Sequence, residues 1–415
     1  PILLDLPGNK IRTTNLTQEL TIGPNQQVTL TAERNGSSLG KVMVNYQGLP
    51  QHVGVGDSIT LGDGGFVLVV DEIISQDIVC HATHAGTIRN GQGVHLPGPN
   101  PRTEFLSETD RELISFAIRQ AVDFIGLSFV ETASDVKQVR DLSGVNGPKV
   151  ISKIETNQSL NHLQELLEVS DALMIDRGDL SVETRPEIVA LLQKRILSEA
   201  TEAAIPVIVA TEILQSMVDH PVPTKAEISD ITNLVLDGAA ALMLSSETAV
   251  GKYPVEAVEF MRRISDTVSE SQRGLPDPRS GGPGDSVPHA IGEAIALICR
   301  HLEVTKIVAI TISGYAARMI AAKRPMQPIL AVSNDPAAAR SFNLLRGVKG
   351  VHVDVPFSRA SLEHIPRCLE ALWRRGELVD EDLILVTAVG YPKSGNRMNL
   401  IETHWVGDLR ASLGW

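Results

Sequence analysis

The chain has little that would staple or anchor it. Its three cysteines, Cys80, Cys299 and Cys368, lie far apart in 415 residues. An odd and widely spaced set suggests neither a disulfide framework nor a zinc site, and it fits a reducing cytoplasm. Basic charge is short as well: 37 Lys and Arg stand against 50 Asp and Glu, a formal charge of −13. With no basic stripe to offset phosphate repulsion, the balance argues against a nucleic-acid partner, and an anionic substrate would need a locally cationic site. No apolar run reaches the roughly 18 residues that mark a membrane span, and no secretory leader is visible. An opening methionine is missing too. Pro1-Ile-Leu-Leu reads as already inside a strand, so an upstream segment is expected.

What is present is ordinary for a globular protein, 43% hydrophobic and 21% charged. The length predicts two or three domains. Residues 1–6 read as a buried strand ending at Asp5. From 13 to 97 the pattern changes to short alternating runs, Gln27-Val-Thr-Leu-Thr31, Ser58-Ile-Thr-Leu61 and 65–70, broken by Gly-Asp, Asp-Gly-Gly and Asn-Gly turns. This predicts an inserted β-barrel or sandwich placed as a lid. From 98 to 271 strand and amphipathic helix alternate. Strands are expected at 122–129, 149–155, 171–176, 205–210 and 240–245, with helices near 108–120, 132–143, 158–169, 186–203, 224–237 and 254–271. Such alternation predicts a parallel sheet with right-handed crossovers. Residues 272–287 have linker composition. Beyond them, 288–415 reads as a separate α/β domain, with helices at 288–302, 314–323 and 335–346 and strands at 306–311, 328–332, 350–354 and 382–388.

Charge gathers at strand ends. Val150-Ile-Ser-Lys-Ile-Glu155 and Asp171-Ala-Leu-Met-Ile-Asp-Arg-Gly-Asp-Leu180 are apolar runs that finish in ionised residues. Lys153 and Glu155, two apart on a strand, share one face. Asp179 is read as the end of the next strand, just past a glycine that lets backbone approach a ligand. Charges at the carboxyl ends of neighbouring parallel strands mark an active site. A carboxylate pair suits a hard divalent cation, and a lysine beside it suits a phosphate or enolate oxygen. Spacing alone leaves equal room for three unrelated salt-bridging residues.

These motifs occur in a fixed order with Leu4-Asp-Leu-Pro-Gly-Asn-Lys-Ile-Arg12, Gly93-Val-His-Leu-Pro-Gly98, Pro206-Val-Ile-Val-Ala-Thr211, Pro221-Val-Pro-Thr-Lys-Ala-Glu227 and Met243-Leu-Ser-Ser-Glu-Thr-Ala249. In that order the chain resembles the pyruvate kinase family over nearly all its length. The resemblance implies a TIM-type (β/α)8 barrel (1–12 and 98–271) whose first two β/α units are absent from this sequence, with the inserted lid and the C-terminal α/β domain. It implies phosphoryl transfer between phosphoenolpyruvate and ADP to give pyruvate and ATP, with Mg²⁺ or Mn²⁺, in a cytoplasmic homotetramer. Glu155 and Asp179 match the divalent-cation ligands, and Lys153 matches the lysine that stabilises the phosphoryl group and enolate oxygen. Gly178, Asp179 and Thr211 match the edge that binds the substrate carboxylate, Ser245 a serine delivering a proton to the enolate carbon, and Arg12 a contact to substrate phosphate. Thr311, Ser313 and Gly314 match an effector loop where a sugar phosphate often binds; a plain helix cap is the alternative.

The departures lie on one side. The family's Asp-Thr-Lys-Gly-Pro-Glu-Ile-Arg is Asp5-Leu-Pro-Gly-Asn-Lys-Ile-Arg12 here, so Asp5 would bind K⁺ beside Leu6 and Pro7 rather than Thr and Lys, and K⁺ dependence is in question. Gln92 stands for a lysine facing nucleotide phosphates. Asp176 stands for an alanine, adding a negative charge that either tightens the cation or repels the substrate. Two further functions are therefore weighed: a metal-dependent aldolase or decarboxylase working on a 2-oxo acid without ADP, and an inactive regulatory homologue. Read alone, Thr211 and Ser245 are helix N-caps, His81 and His84 are lid surface, Arg12 is a salt-bridged strand terminus, and Arg177-Gly-Asp179 is no adhesion signal.

Overall fold

The structure is a computed structural model and describes residues 1–33, 41–62, 66–96, 105–271, 286–358, 361–389 and 398–415. The expected boundary at 97–98 and most of the expected linker, 272–285, fall outside these residues.

After β1 (Leu3–Asp5) the chain enters the lid: β2 (Thr13–Thr14), β3 (Leu20–Ile22), β4 (Gln27–Thr31), β5 (Lys41–Val44), β6 (Ser58–Leu61), β7 (Phe66–Ile74), β8 (Asp77–Ala82), β9 (Gly86–Ile88) and β10 (Val94–His95). Seven of these pair as β10-β6-β7-β8-β4-β5-β2, and β3 pairs with β9. The alternation in β8, with Ile78, Cys80 and Ala82 inward, gives the lid a core of its own.

The chain then builds the barrel domain from α1 (Glu108–Arg119), β11 (Phe124–Leu127), α2 (Ala133–Ser143), β12 (Lys149–Ile154), α3 (Asn157–Asn161), α4 (Leu163–Val169), β13 (Ala172–Asp176), α5 (Arg177–Glu183), α6 (Pro186–Glu202), β14 (Val207–Ala210), α7 (Lys225–Asp237), β15 (Ala241–Met243), α8 (Ser246–Ala249) and α9 (Pro254–Ser271). The sheet is wholly parallel in the order β1-β11-β12-β13-β14-β15. Its strands alternate strictly. Val150 and Ile154, Leu173 and Ile175, and Val207 and Val209 face the helices, while Ile151, Met174 and Ile208 fill the other face. Lys153, Glu155, Asp176 and Asp5 share the parity of that inner face, and this is what brings them together.

Three expectations are corrected. Residues 1–6 are not a buried strand: β1 pairs only with β11, Ile2 is 66% exposed and Asp5 is exposed. An edge position leaves it covered on one side only. Asp179 does not end a strand. β13 stops at Asp176, and Asp179 lies in the first turn of α5, a helix not foreseen. The helix expected over 158–169 is two, α3 and α4, parted at His162.

The C-terminal domain comprises α10 (Val287–His301), β16 (Lys306–Ile310), α11 (Tyr315–Ala322), β17 (Ile329–Ser333), α12 (Pro336–Ser341), β18 (Val348–His352), α13 (His364–Arg374), β19 (Leu383–Ala388), β20 (Leu400–Trp405) and α14 (Val406–Leu413). Its five-stranded order is β18-β17-β16-β19-β20, with β20 antiparallel to β19. The domain is seated on the barrel's base. Leu344 packs with Phe124, Ile151 and Met174 inside the barrel sheet, and Lys149 Nζ, at the start of β12, donates to Ser341 Oγ at 2.7 Å. Arg324 donates to the Leu236 and Asp237 carbonyls, where Gly238 must lack a side chain: a Cβ there would meet the guanidinium at 1.7 Å.

Candidate active site

The site lies at the carboxyl ends of the barrel strands, where Lys10, from the segment that enters the insert, meets Asp179. Lys153 is 5% exposed, and its ammonium is ringed by acceptors: Glu155 Oε1 at 2.9 Å, Ser128 Oγ at 3.0 Å, Asp5 Oδ2 at 3.2 Å and Asp176 Oδ2 at 3.6 Å. Burial alone would lower the Lys153 pKa, but Glu155, Asp5 and Asp176 outweigh it and hold the ammonium protonated well above the usual lysine range. Gly126 makes room for this arrangement, since a Cβ there would come within 2.9 Å of Asp5 Oδ1.

Glu155 is fully buried. Its Oε2 accepts from the Phe129 N–H at 2.7 Å, while Oε1 touches the Lys153 charge without meeting any donor in hydrogen-bond geometry among the described residues. Burial pushes its pKa up to about 7, partly offset by Lys153 and reinforced by Asp176 and Asp179. One carboxylate oxygen each of Glu155, Asp176 and Asp179 lies within 4.8 Å of the others. Such a set of hard oxygens fits a Mg²⁺ or Mn²⁺ ion. Glu183, at the far end of α5, is also raised to about 7, by burial first and then by Asp179 and Glu131.

Thr211 sits just past β14 in the left-handed region, φ 64°, followed by Glu212 at 53°. Arg177 holds this strained pair. Its guanidinium donates to the Thr211 carbonyl at 2.9 Å, to the Glu212 carbonyl at 2.7 Å and to Asp230 Oδ2 at 2.7 Å. The Thr211 hydroxyl accepts from the Gly178 N–H at 3.0 Å and faces the Ala210 carbonyl at 2.7 Å and Asp176 Oδ1 at 3.3 Å. Thr211 is therefore no N-cap but a pin between two loops. Gly178 is not demanded by crowding, because a Cβ there would make only ordinary contacts, the nearest at 3.6 Å. Ser245 does occupy the N-cap position of α8, yet its side chain makes no capping bond; Glu247, accepting from the Ser245 and Leu214 N–H groups, fixes that loop instead.

Not every expected residue joins the cluster. Arg12 lies at the lid seam, where its guanidinium donates to the Gly91 carbonyl at 2.8 Å. In the C-terminal domain the Gly314 N–H donates to Thr311 Oγ1 at 3.1 Å, and Gly314 has φ 80° where a Cβ would strike the Phe342 ring at 2.5 Å. That geometry is a capped turn packed on an aromatic ring, with Ser313 exposed beside it. His81 binds Asp71, and His84 contacts Thr83, both on the lid. Lys10, Ser128, Arg177 and Glu247 were not singled out by the sequence reading. Lys10 carried a signal, a basic residue where the family motif has Glu, and Arg177 and Glu247 lie inside quoted motifs without a role having been read for them.

The profile described as pyruvate kinase, barrel domain, matches residues 1–258, and that described as pyruvate kinase, alpha/beta domain, matches 289–404. The pyruvate kinase of Bacillus licheniformis is 36% identical over 424 residues, covering 99% of this chain and 71% of that protein. That of Geobacillus stearothermophilus is 36% identical over 420 residues with the same coverage. A crystal structure of a pyruvate kinase from Cryptosporidium parvum superposes with a TM-score of 0.83 at 29% identity, covering 97% of this chain and 83% of that one. Sequence, fold and the ordered strand-end motifs agree, and the chain belongs to the pyruvate kinase family.

Proposed function

We propose that the strand-end cluster is the catalytic centre of a phosphotransferase that moves a phosphoryl group from phosphoenolpyruvate to ADP, giving pyruvate and ATP. The observation that carries this is the buried Lys153 ammonium held over Glu155, with Asp179 in the first turn of α5 and Thr211 just past β14 beside it. The ADP-independent aldolase and the inactive homologue draw no support from relatives that match over nearly the whole chain.

Glu155 and Asp179 would hold Mg²⁺ or Mn²⁺. When bound, the ion neutralises substrate oxygens and acts as a Lewis acid. The chain's own residues do the rest. Lys153, kept charged and immobile by four acceptors, presents its ammonium to the transferring phosphoryl group and then to the enolate oxygen, as electrostatic preorganisation requires. Thr211 and the N–H groups of the first turn of α5 meet the substrate carboxylate. Ser245, two residues past β15 at the start of α8 and with its hydroxyl uncommitted to a cap, would deliver the proton to the enolate carbon. Fold resemblance supports a homotetramer in the cytoplasm; among the described residues no helix is long and apolar enough to cross a membrane.

The test is ATP formation from phosphoenolpyruvate and ADP with Mg²⁺. Turnover is expected. Its absence, from protein that still binds Mg²⁺ and pyruvate, would overturn the kinase reading in favour of enolate chemistry without ADP.

A further inference from the structure

Asp176 stands where the family pattern has alanine, at the inner end of β13 and only 8% exposed. Its carboxylate is poorly served for a buried anion. Lys153 is 3.6 Å from Oδ2, beyond a hydrogen bond. The Thr211 hydroxyl is 3.3 Å from Oδ1, but its single proton has a closer acceptor in the Ala210 carbonyl at 2.7 Å. Service to Thr211 therefore does not explain why the carboxylate is kept. Nor does pairing within the cluster: four carboxylates, Asp5, Glu155, Asp176 and Asp179, face two ammonium groups, Lys10 and Lys153. One divalent cation supplies that difference. A second atom is at hand for it, the fully buried Glu155 Oε1, which is ion-paired with Lys153 at 2.9 Å but meets no donor in hydrogen-bond geometry among the described residues.

We propose that Asp176 is a third protein carboxylate of the divalent-cation site, so that this enzyme loads its cation from solution before substrate arrives. The inference rests on Glu155 and Asp179 being the cation ligands. An octahedral Mg²⁺ holds its oxygens at about 2.1 Å, so opposite ligands stand about 4.2 Å apart. Three ligands of one octahedron include at least two neighbouring pairs about 3.0 Å apart; the three oxygens lie within 4.8 Å of one another, so side-chain rotation draws them together on loading. With two carboxylates a site leans on substrate oxygens to retain its ion. A third moves that burden to the protein, and affinity rises with the number of charged ligands.

The experiment is a Mn²⁺ titration of the whole chain without substrate, free ion read by electron paramagnetic resonance and bound water counted by proton relaxation. It uses wild type, Asp176→Asn, Asp176→Ala and Asp179→Asn, each checked by thermal melting. Asp176→Asn keeps the shape and the acceptor for Thr211. The expected result is a loss of Mn²⁺ affinity of about tenfold or more in both Asp176 variants, with one additional bound water, as for removal of a charged ligand. Should Asp179→Asn weaken binding while both Asp176 variants bind as wild type does, the third-ligand proposal is wrong and the two-carboxylate site stands. If Asp179→Asn also binds normally, the cation site itself has been misplaced. Should Asp176→Ala fail to fold, the isosteric Asn variant decides alone.

Discussion

The ammonium of Lys10, on the segment that leads from β1 into the lid, forms an ion pair with the carboxylate of Asp179 in the first turn of α5. Both side chains are mostly buried, 14% and 15% exposed. A fixed positive charge thus stands at the mouth of the site, close to where the family motif would place K⁺ ligands. Leu6, four residues before Lys10, is 2% exposed, and its apolar side chain offers an ion no oxygen. Turnover is therefore expected to show no K⁺ requirement. Phosphoenolpyruvate and ADP assayed with Mg²⁺, with and without K⁺, check this; marked K⁺ stimulation would mean that Lys10 does not supply the charge.

Lys153→Met removes the one cation that, among the described residues, touches Glu155, Asp5 and Asp176. Turnover should fall by about a thousandfold, the scale of losing a preorganised charge at the reacting group. Mn²⁺ affinity should not weaken, because the ammonium repels a cation from the same carboxylates. Steady-state kinetics and a Mn²⁺ titration on one preparation separate the two effects, and unchanged turnover would remove Lys153 from the mechanism.

Thr211→Ala leaves the Gly178 N–H without its partner and strips a donor from the carboxylate edge. The KM for phosphoenolpyruvate should rise by about tenfold, about 1.4 kcal/mol. Thr211→Ser keeps the hydroxyl and sheds a β-methyl from a left-handed backbone, so it should stay near wild type. Equal damage in both variants would show that the methyl, not the hydroxyl, matters.

Ser245→Ala should leave the melting temperature unchanged, since the hydroxyl caps nothing. Exchange of pyruvate methyl protons with solvent, followed by nuclear magnetic resonance, should slow. A drop in stability with normal exchange would return Ser245 to a structural role.

At the domain seam two neighbours should respond in opposite ways. Phe342, 1% exposed, fills the space over Gly314, and Phe342→Ala should cost about 3–5 kcal/mol in denaturant unfolding. Lys149, whose ammonium lies over the Phe342 ring, has its pKa lowered by burial. The unfolded chain then binds more protons than the folded one in the alkaline range below 10.5, so wild-type stability relative to Lys149→Met should rise with pH there. A difference that falls with pH would show that the folded state favours the charged lysine.

The sequence by itself determined the sheet and its inner face. Along the apolar runs of β12 and β13, Lys153 and Glu155 share one face and Asp176 falls on the same face of its strand as Met174, because side chains alternate across a strand whatever surrounds it. Helix starts were legible where a capping residue precedes a periodic run, as at Ser107 and Thr224. The helix α13 was also written in its stripe of Ile365, Cys368, Leu369 and Leu372, although the expected elements did not include it. Tertiary structure alone decided the rest. Whether Asp179 ends a strand or opens a helix depends on the Thr211 loop that its neighbour Gly178 bonds. Lys10 and Asp179 are 169 residues apart, and only the tertiary fold, which carries the segment after β1 across to α5, brings that ammonium to that carboxylate. Local pattern fixes which way a side chain points. What it meets there is set by long-range packing, which no local stretch of sequence encodes.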